Sequence, residues 1–282
     1  MTALASSAAP VTTRRQSLAW PFAAGGVIGI LGGLIGLGGA EFRLPLLMGL
    51  FGFAALQAVI LNKAMSLVVV VAALPARAFA VPWADVFDHW WIVVNLLVGS
   101  VIGAWAAAGW ATRMHARTLR RILASLLVAI AVVLASTHYA ELGSFDLQPV
   151  TRTIAGVVAG VLIGMVAAFM GVAGGELLIP TIVLLFGVDI RLAGSLSLLV
   201  SLPTMLVALA RYSQDNTFTV LRNNLRFVAL MGAGSIAGAV TGGAMLQHVA
   251  GPALISALTL ILLVSAFKVW RDTEAPETPV VA

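Results

Sequence analysis

The chain has 282 residues, of which 61% are hydrophobic and only 10% are charged, and its mean hydropathy is +1.05. So little charge excludes an ordinary soluble domain, and a net charge of +5 scattered over the loops is too small for a nucleic-acid surface. The absence of cysteine excludes disulfides, thiol catalysis and cysteine-based metal sites. We therefore expect a bilayer protein with no cofactor and no nucleic-acid partner.

Each half of the chain predicts five helical segments. They cover about 19–37, 42–52, 55–80, 89–111 and 118–137 in the first half, and about 153–171, 177–187, 190–211, 223–246 and 252–270 in the second. The second segment of each half is short: about eleven residues, at about 1.5 Å each, cross only half of a hydrocarbon core about 30 Å thick. We expect the first two segments of each half to form a re-entrant hairpin, with a fully spanning hairpin as the alternative.

The two halves repeat the same residues at a constant offset of 135 positions. The recurring pairs include Gly25 and Gly160, Gly29 and Gly164, Gly36 and Gly171, Gly39 and Gly174, Glu41 and Glu176, Pro45 and Pro180, Ser66 and Ser201, Gly99 and Gly234, Ser100 and Ser235, and Gly103 and Gly238. A constant offset indicates a duplicated unit rather than chance glycine richness. In a hydrophobic chain, such a duplication is typical of transporters built from internal repeats.

The distribution of basic residues predicts how the chain crosses the membrane. The most basic loop, 113–121, is assigned to the cytoplasm by the positive-inside rule. Counting segments from there places 80–89 and 138–151 outside, and 212–226 inside. The homologous halves would then be inserted in opposite senses, as an inverted-topology repeat.

The resulting fold class is an all-α polytopic membrane protein with two inverted repeats, each a glycine-tipped helical hairpin plus three spanning helices. The predicted organisation is a cytoplasmic tail over 1–18, a first membrane repeat over 19–137, a periplasmic linker over 138–151, a second membrane repeat over 152–271 and a cytoplasmic tail over 272–282.

The hairpin tips read GLGGAEFRLP over 36–45 and GVAGGELLIP over 171–180. Glycine permits left-handed backbone and close approach, and the helix that follows each tip begins with unpaired N–H groups that favour an anion. Two such N-termini facing each other would form an anion site near the bilayer midplane. The alternative is that small residues simply let helices pack, and we favour it for Gly25, Gly29, Gly99 and Gly103.

Candidate site residues follow from the tips and from the polar residues at membrane depth. The candidate substrate-binding residues are Gly36, Gly38, Gly39, Ala40, Arg43, Asn62, Lys63, Ser66, Gly171, Gly174, Gly175, Ser197 and Ser201. Lys63 is either a substrate counter-ion or a lysine that snorkels to the cytoplasmic interface. Glu41 and Glu176 are candidate proton carriers, with pairing of these glutamates to Arg43 as the alternative.

The doubled glycine tip, with its paired glutamate and downstream proline, resembles the TauE/SafE sulfite exporter family over most of residues 20–270. The resemblance implies export of small inorganic or organic sulfur anions, such as sulfite or sulfoacetate, across the bacterial inner membrane. It also implies that the tips from Gly36 to Glu41 and from Gly171 to Glu176 carry the site. This chain adds charge in its first half, because Arg43 and Lys63 align with Leu178 and Leu198.

We expect a multi-pass secondary transporter of the inner membrane that moves a small anion by alternating access, driven by a proton gradient or the membrane potential. Both termini would be cytoplasmic, and the partners would be the anion and membrane lipid, with the oligomeric state left open. An intramembrane enzyme is disfavoured because the chain has no HExxH motif, no GxSxG elbow and no cysteine nucleophile. An anion channel, or a transporter of an unrelated small carboxylate, remains the alternative.

The predicted topology can be tested with single cysteines introduced into this cysteine-free chain. A cysteine in 113–121 or 212–226 should be protected from an impermeant thiol reagent added outside intact cells, and a cysteine in 138–151 should react. Labelling of 212–226 from outside would contradict the inverted-repeat arrangement.

Overall fold

The computed structural model describes residues 19–35, 39–80, 83–139, 148–214, 219–245 and 251–274, with side chains at 19–32, 39–72, 84–132, 148–214, 219–242 and 259–271. The described residues are almost entirely helical and contain no strand. The helices are α1 (Ala19–Ile35), α2 (Ala40–Gly49), α3 (Ala55–Ala80), α4 (Trp83–Asp88), α5 (Trp90–Ala111), α6 (Ala116–Tyr139), α7 (Pro149–Met170), α8 (Gly175–Phe186), α9 (Ile190–Ser213), α10 (Thr219–Asn223), α11 (Leu225–Met245) and α12 (Gly251–Glu274).

The all-helical fold is confirmed, and ten of these helices correspond to the ten predicted segments. The remaining two, α4 and α10, are short helices in stretches that the sequence predicted as loops. Within the described residues, α3, α5, α7, α9 and α11 contain stretches long and apolar enough to cross a membrane, while α1 and α8 are shorter apolar helices. Residues 1–18, 36–38, 140–147 and 275–282 lie outside the described residues, so the domain limits and the membrane sidedness stay predictions.

The two halves pack through pairs of helices, one from each half, and we call the pairs α1–α11 and α5–α7 the exchanged helices. The first helix of each half lies against the helix that matches the fourth predicted segment of the other half, so α1 packs on α11 and α7 packs on α5. Further contacts between the halves join α3 with α9 and α6 with α12, which are equivalent helices of the two repeats. The duplication that is visible in the sequence is therefore also present in the helix contacts.

Small residues bring the exchanged helices together. A Cβ atom placed on Gly29 would collide with the backbone oxygen of Ser235, and one on Gly164 would collide with that of Ser100. These two collisions are the same contact, shifted by the repeat offset. Gly25, Gly99 and Gly103 also meet backbone oxygens of the facing helix, so the packing interpretation is confirmed for all four glycines to which the sequence assigned it.

The apolar core encloses the short helix α2 and the first half of α3. Leu44 and Leu47 of α2 and Ile60 and Leu61 of α3 are completely buried in it. Large apolar side chains elsewhere, such as Val98 and Trp110, face outward, as expected of a lipid-facing surface. Any charged group on α2 or the first half of α3 must consequently find its partners inside the protein.

Candidate functional site

The two hairpin tips meet inside the fold, and glycine makes both turns possible. Gly39 precedes α2 with a φ of 69°, and Gly174 precedes α8 with a φ of 83°. Gly171, with a φ of 69°, ends α7. These are left-handed conformations that side chains disfavour. Each short helix therefore begins at a sharp glycine turn.

Asn62 of α3 holds the two tips in place. Its side-chain Nδ2 donates to the carbonyl of Ala40 at 2.9 Å and to that of Met170 at 3.0 Å, so one amide contacts the start of α2 and the end of α7. Its Oδ1 accepts a hydrogen bond from Nε of Arg43 at 2.9 Å. Asn62 is fully buried, and this set of contacts makes it a positioning residue for both hairpins.

Arg43 is completely buried and is solvated by neutral groups. Besides Asn62, its guanidinium donates to Oγ of Ser66 at 3.3 Å and to Oγ of Ser235 at 3.4 Å. Ser66 in turn donates to the carbonyl of Gly171 at 3.2 Å, which links the cation to the second tip. The described hydrogen-bond partners of Arg43 are all uncharged, and Glu41 interacts with it electrostatically without a direct hydrogen bond.

Lys63 is also completely buried and points into the protein. Its Nζ donates to the carbonyls of Ala167 at 2.6 Å and Val172 at 2.8 Å, on either side of the turn at Gly171. The snorkelling alternative is therefore wrong. Arg43 and Lys63 place two positive charges beside the second tip, and neither is in salt-bridge contact with a carboxylate among the described residues.

Glu41 in the first turn of α2 and Glu176 in the first turn of α8 lie close enough for their carboxyl groups to interact. A hydrogen bond between two carboxyl groups requires a proton on one of them. The Oε2 atom of each glutamate is buried and has no hydrogen-bond partner within the described part of the chain. Buried polar atoms are rarely left unsatisfied, and such exceptions often mark a ligand or proton position.

The other candidate residues have different surroundings. Ser197 donates to the carbonyl of Gly194 in its own helix at 2.8 Å, and Ser201 is buried with no partner among the described residues. Gly175, the first residue of α8, has no positive φ, and a Cβ atom there would meet nothing within 4 Å. Gly36 and Gly38 lie outside the described residues. The described part of the chain contains no cluster of three or more residues suited to hold a metal ion.

Sequence reasoning missed several partners in this cluster. Ser235 of α11 accepts from Arg43, although the sequence marks it only as one small residue of a repeated packing stripe. The carbonyls of Ala167, Met170 and Val172 serve as acceptors, and backbone groups carry no residue-type signal. Only the repeat offset, which pairs Ser235 with Ser100, draws attention to any of these positions.

A comparison with protein-family models finds one described as sulfite exporter TauE/SafE, which matches residues 1–134 and 140–280. The match covers nearly the whole chain in two parts, and the parts correspond to the two halves seen in the fold. No curated protein sequence and no solved structure matches the chain.

The tip conformations predict how the site responds to side chains at its turns. Gly39→Val and Gly174→Val should each lose about 1–3 kcal/mol of folding free energy, because a β-branched residue is strained at positive φ. At Gly39 the new Cβ would also lie 2.5 Å from the carbonyl oxygen of Ile28.

Thermal unfolding of the purified variants in detergent measures this effect. Gly175→Ala is the matched control, since it lies next to Gly174, has open space for a methyl group and copies Ala40 of the first repeat. A Gly174→Val variant that unfolds at the same temperature as Gly175→Ala would show that the turn geometry is unimportant.

Proposed function

The chain belongs to the TauE/SafE sulfite exporter family, and on this premise we propose that it is a secondary transporter that exports a small sulfur oxyanion, such as sulfite or a sulfonate. It acts by alternating access in the bacterial inner membrane, with both termini in the cytoplasm. One observation carries the proposal: Arg43 and Lys63 are buried at the meeting point of two glycine-tipped hairpins, with uncharged hydrogen-bond partners.

The charge balance of the cluster favours an anionic substrate. Burying a cation in a membrane protein is expensive, and such residues usually face a substrate pathway. If Glu41 and Glu176 share one proton, they carry one negative charge together. Arg43 and Lys63 carry two positive charges, so the cluster has an excess of one positive charge. A small monoanion entering the cluster would neutralise that excess.

The geometry of the tips supplies hydrogen-bond donors suited to an oxyanion. The first N–H groups of α2 and α8 have no partners within their own helices, and the helix dipoles make these ends favourable for negative charge. A Cβ atom added at Gly175, the first residue of α8, would meet nothing within 4 Å, so there is open space at the start of this helix. A sulfite-sized anion fits this requirement because it accepts several hydrogen bonds at once.

The carboxyl pair offers a link between protons and movement. Glu41 belongs to the first hairpin and Glu176 to the second, so their hydrogen bond holds the two tips together. Loss of the shared proton would place two negative charges side by side in a medium of low dielectric constant, where they repel strongly. Deprotonation would therefore favour separation of the tips, and the equivalent packing of the two halves would allow opening toward either side.

Flux measurements test the transport mechanism. Proteoliposomes that contain the wild type should accumulate or expel labelled sulfite against its gradient when a pH gradient is imposed. An anion channel would only dissipate the sulfite gradient. The Glu41→Gln, Glu176→Gln double variant should bind sulfite but lose the pH dependence of its flux, because neither amide can release a proton in this pH range. An unchanged pH profile in the double variant would exclude the pair as the proton carrier.

The role of Arg43 is tested by binding. Arg43→Gln should weaken sulfite binding roughly tenfold or more, since a hydrogen bond to a charged group contributes about 1.5–3 kcal/mol. Arg43→Lys should have an intermediate affinity, because it keeps the charge but not the fork of donors that reaches Asn62, Ser66 and Ser235. Isothermal titration gives the affinities, and the exposed Arg113→Gln is the control for a lost positive charge. Wild-type affinity in Arg43→Gln would contradict the proposed site.

A further inference from the structure

A second cationic pocket lies at the opposite end of α2 from the tip. It has a volume of about 240 Å³ and is lined by α2, by the loop into α3, and by Arg120 of α6 and Lys268 of α12. The lining on α2 includes Pro45, Met48 and Gly49. Nine residues separate Ala40 from Gly49, so at about 1.5 Å per residue the pocket lies only about 14 Å from the tip.

Two helices that are far apart in sequence direct their cations into this one cavity. The amine of Lys268 lies over Gly49, where a Cβ atom would be 3.0 Å from Nζ. Arg120 reaches the cavity from the other helix of the repeat-related pair α6 and α12. The neighbouring Arg117 and Arg121 on α6 are exposed and do not line it. The two pocket cations are thus distinguished from the general positive charge of this end of the fold.

The second repeat lacks the residues that build the pocket. At the offset of 135 positions, Ile255 stands in place of Arg120, Val133 in place of Lys268, and Leu184 in place of Gly49. Asp189 stands in place of Ala54, which adds a negative charge. A need for positive charge near the cytoplasmic surface explains the two cations. It does not explain why a glycine stands at position 49, where the absence of a side chain leaves room for the amine of Lys268.

We propose that this pocket is an entry site for the transported oxyanion, on the side of the membrane that the basic loops assign to the cytoplasm. This inference rests on the proposed function. A positively charged cavity with apolar walls concentrates anions and speeds their encounter with the site beyond it. In the equivalent region of the other repeat neither pocket cation has a counterpart, and Asp189 offsets the charge of Arg191. The net positive charge is therefore greater at the pocket end, which suits export from the cytoplasm.

The same chemistry would suit the phosphate of a lipid headgroup, so the test uses two kinds of vesicle. Sulfite flux is measured from the pocket side, with the protein in pure phosphatidylcholine and in phosphatidylcholine mixed with phosphatidylglycerol. In both, the Arg120→Gln, Lys268→Gln double variant should show a roughly tenfold higher KM and an unchanged kcat, with the difference shrinking at high salt. The Arg117→Gln, Arg121→Gln double variant removes the same charge from outside the pocket and should keep the wild-type KM.

A filling variant separates the cavity from its charge. Gly49→Leu copies Leu184 of the second repeat and should raise KM without removing a cation. Direct titration of sulfite into an Arg43→Gln background should reveal a weak site that disappears when Arg120 and Lys268 are also replaced.

The outcomes distinguish the pocket from the transport function. Equal KM changes in the pocket and control variants, or an effect seen only with phosphatidylglycerol, would overturn the entry site while wild-type flux persists. No flux in the wild type would instead count against the proposed function, and the titration would then test the pocket on its own. If the Arg43→Gln background shows no weak site, or if that site persists when Arg120 and Lys268 are replaced, the pocket proposal is overturned.

Discussion

A guanidinium group that cannot reach water must be solvated by the protein around it, and the arrangement of both hairpins depends on how this is done for Arg43. Burying a charge costs several kcal/mol unless hydrogen bonds replace its hydration shell. Here Asn62, Ser66 and Ser235 supply those bonds from two helices. Asn62 and Ser66 also bind the tip carbonyls of Ala40, Met170 and Gly171. The cation and the two turns therefore hold one another in place, and displacement of either tip would expose unsatisfied polar groups.

The helix packing is repeated in both halves, but the buried charged residues are not. Contacts between exchanged helices recur in both halves, down to the glycine that meets the same backbone oxygen. Among the described side chains, the buried cations occur in the first half alone, where Arg43 and Lys63 stand in place of Leu178 and Leu198. Ser201 illustrates the difference: it corresponds to Ser66, yet it has no arginine to bind and no partner among the described residues. The helix packing is therefore nearly symmetric, while the buried charge is concentrated in one half.

Close helix packing explains how such a polar centre is tolerated. Lipid tails are as apolar as leucine side chains, so helices in a bilayer gain little by burying apolar surface and associate through close contact and hydrogen bonds. The glycines of α1, α5, α7 and α11 allow backbones to touch, and this rigid frame surrounds the cluster. The carboxyl pair of Glu41 and Glu176 joins the two hairpins within it. The two carboxyl groups therefore lie where the two hairpins meet.

The sequence by itself determined the features that depend on neighbouring residues or on the repeat. These are the ten main helices, among them the two short ones after the glycine turns, the packing role of Gly25, Gly29, Gly99 and Gly103, and the family. The turns followed because only glycine accepts a positive φ without strain. Tertiary structure alone decided the direction of Lys63, the pairing of the two glutamates and the partners of Arg43. Lys63 and its acceptor Ala167 are 104 residues apart, and the acceptor is a backbone carbonyl. Every helix leaves its last carbonyls without an intrahelical donor, so only the folded chain decides which of them lies within reach of a buried charge.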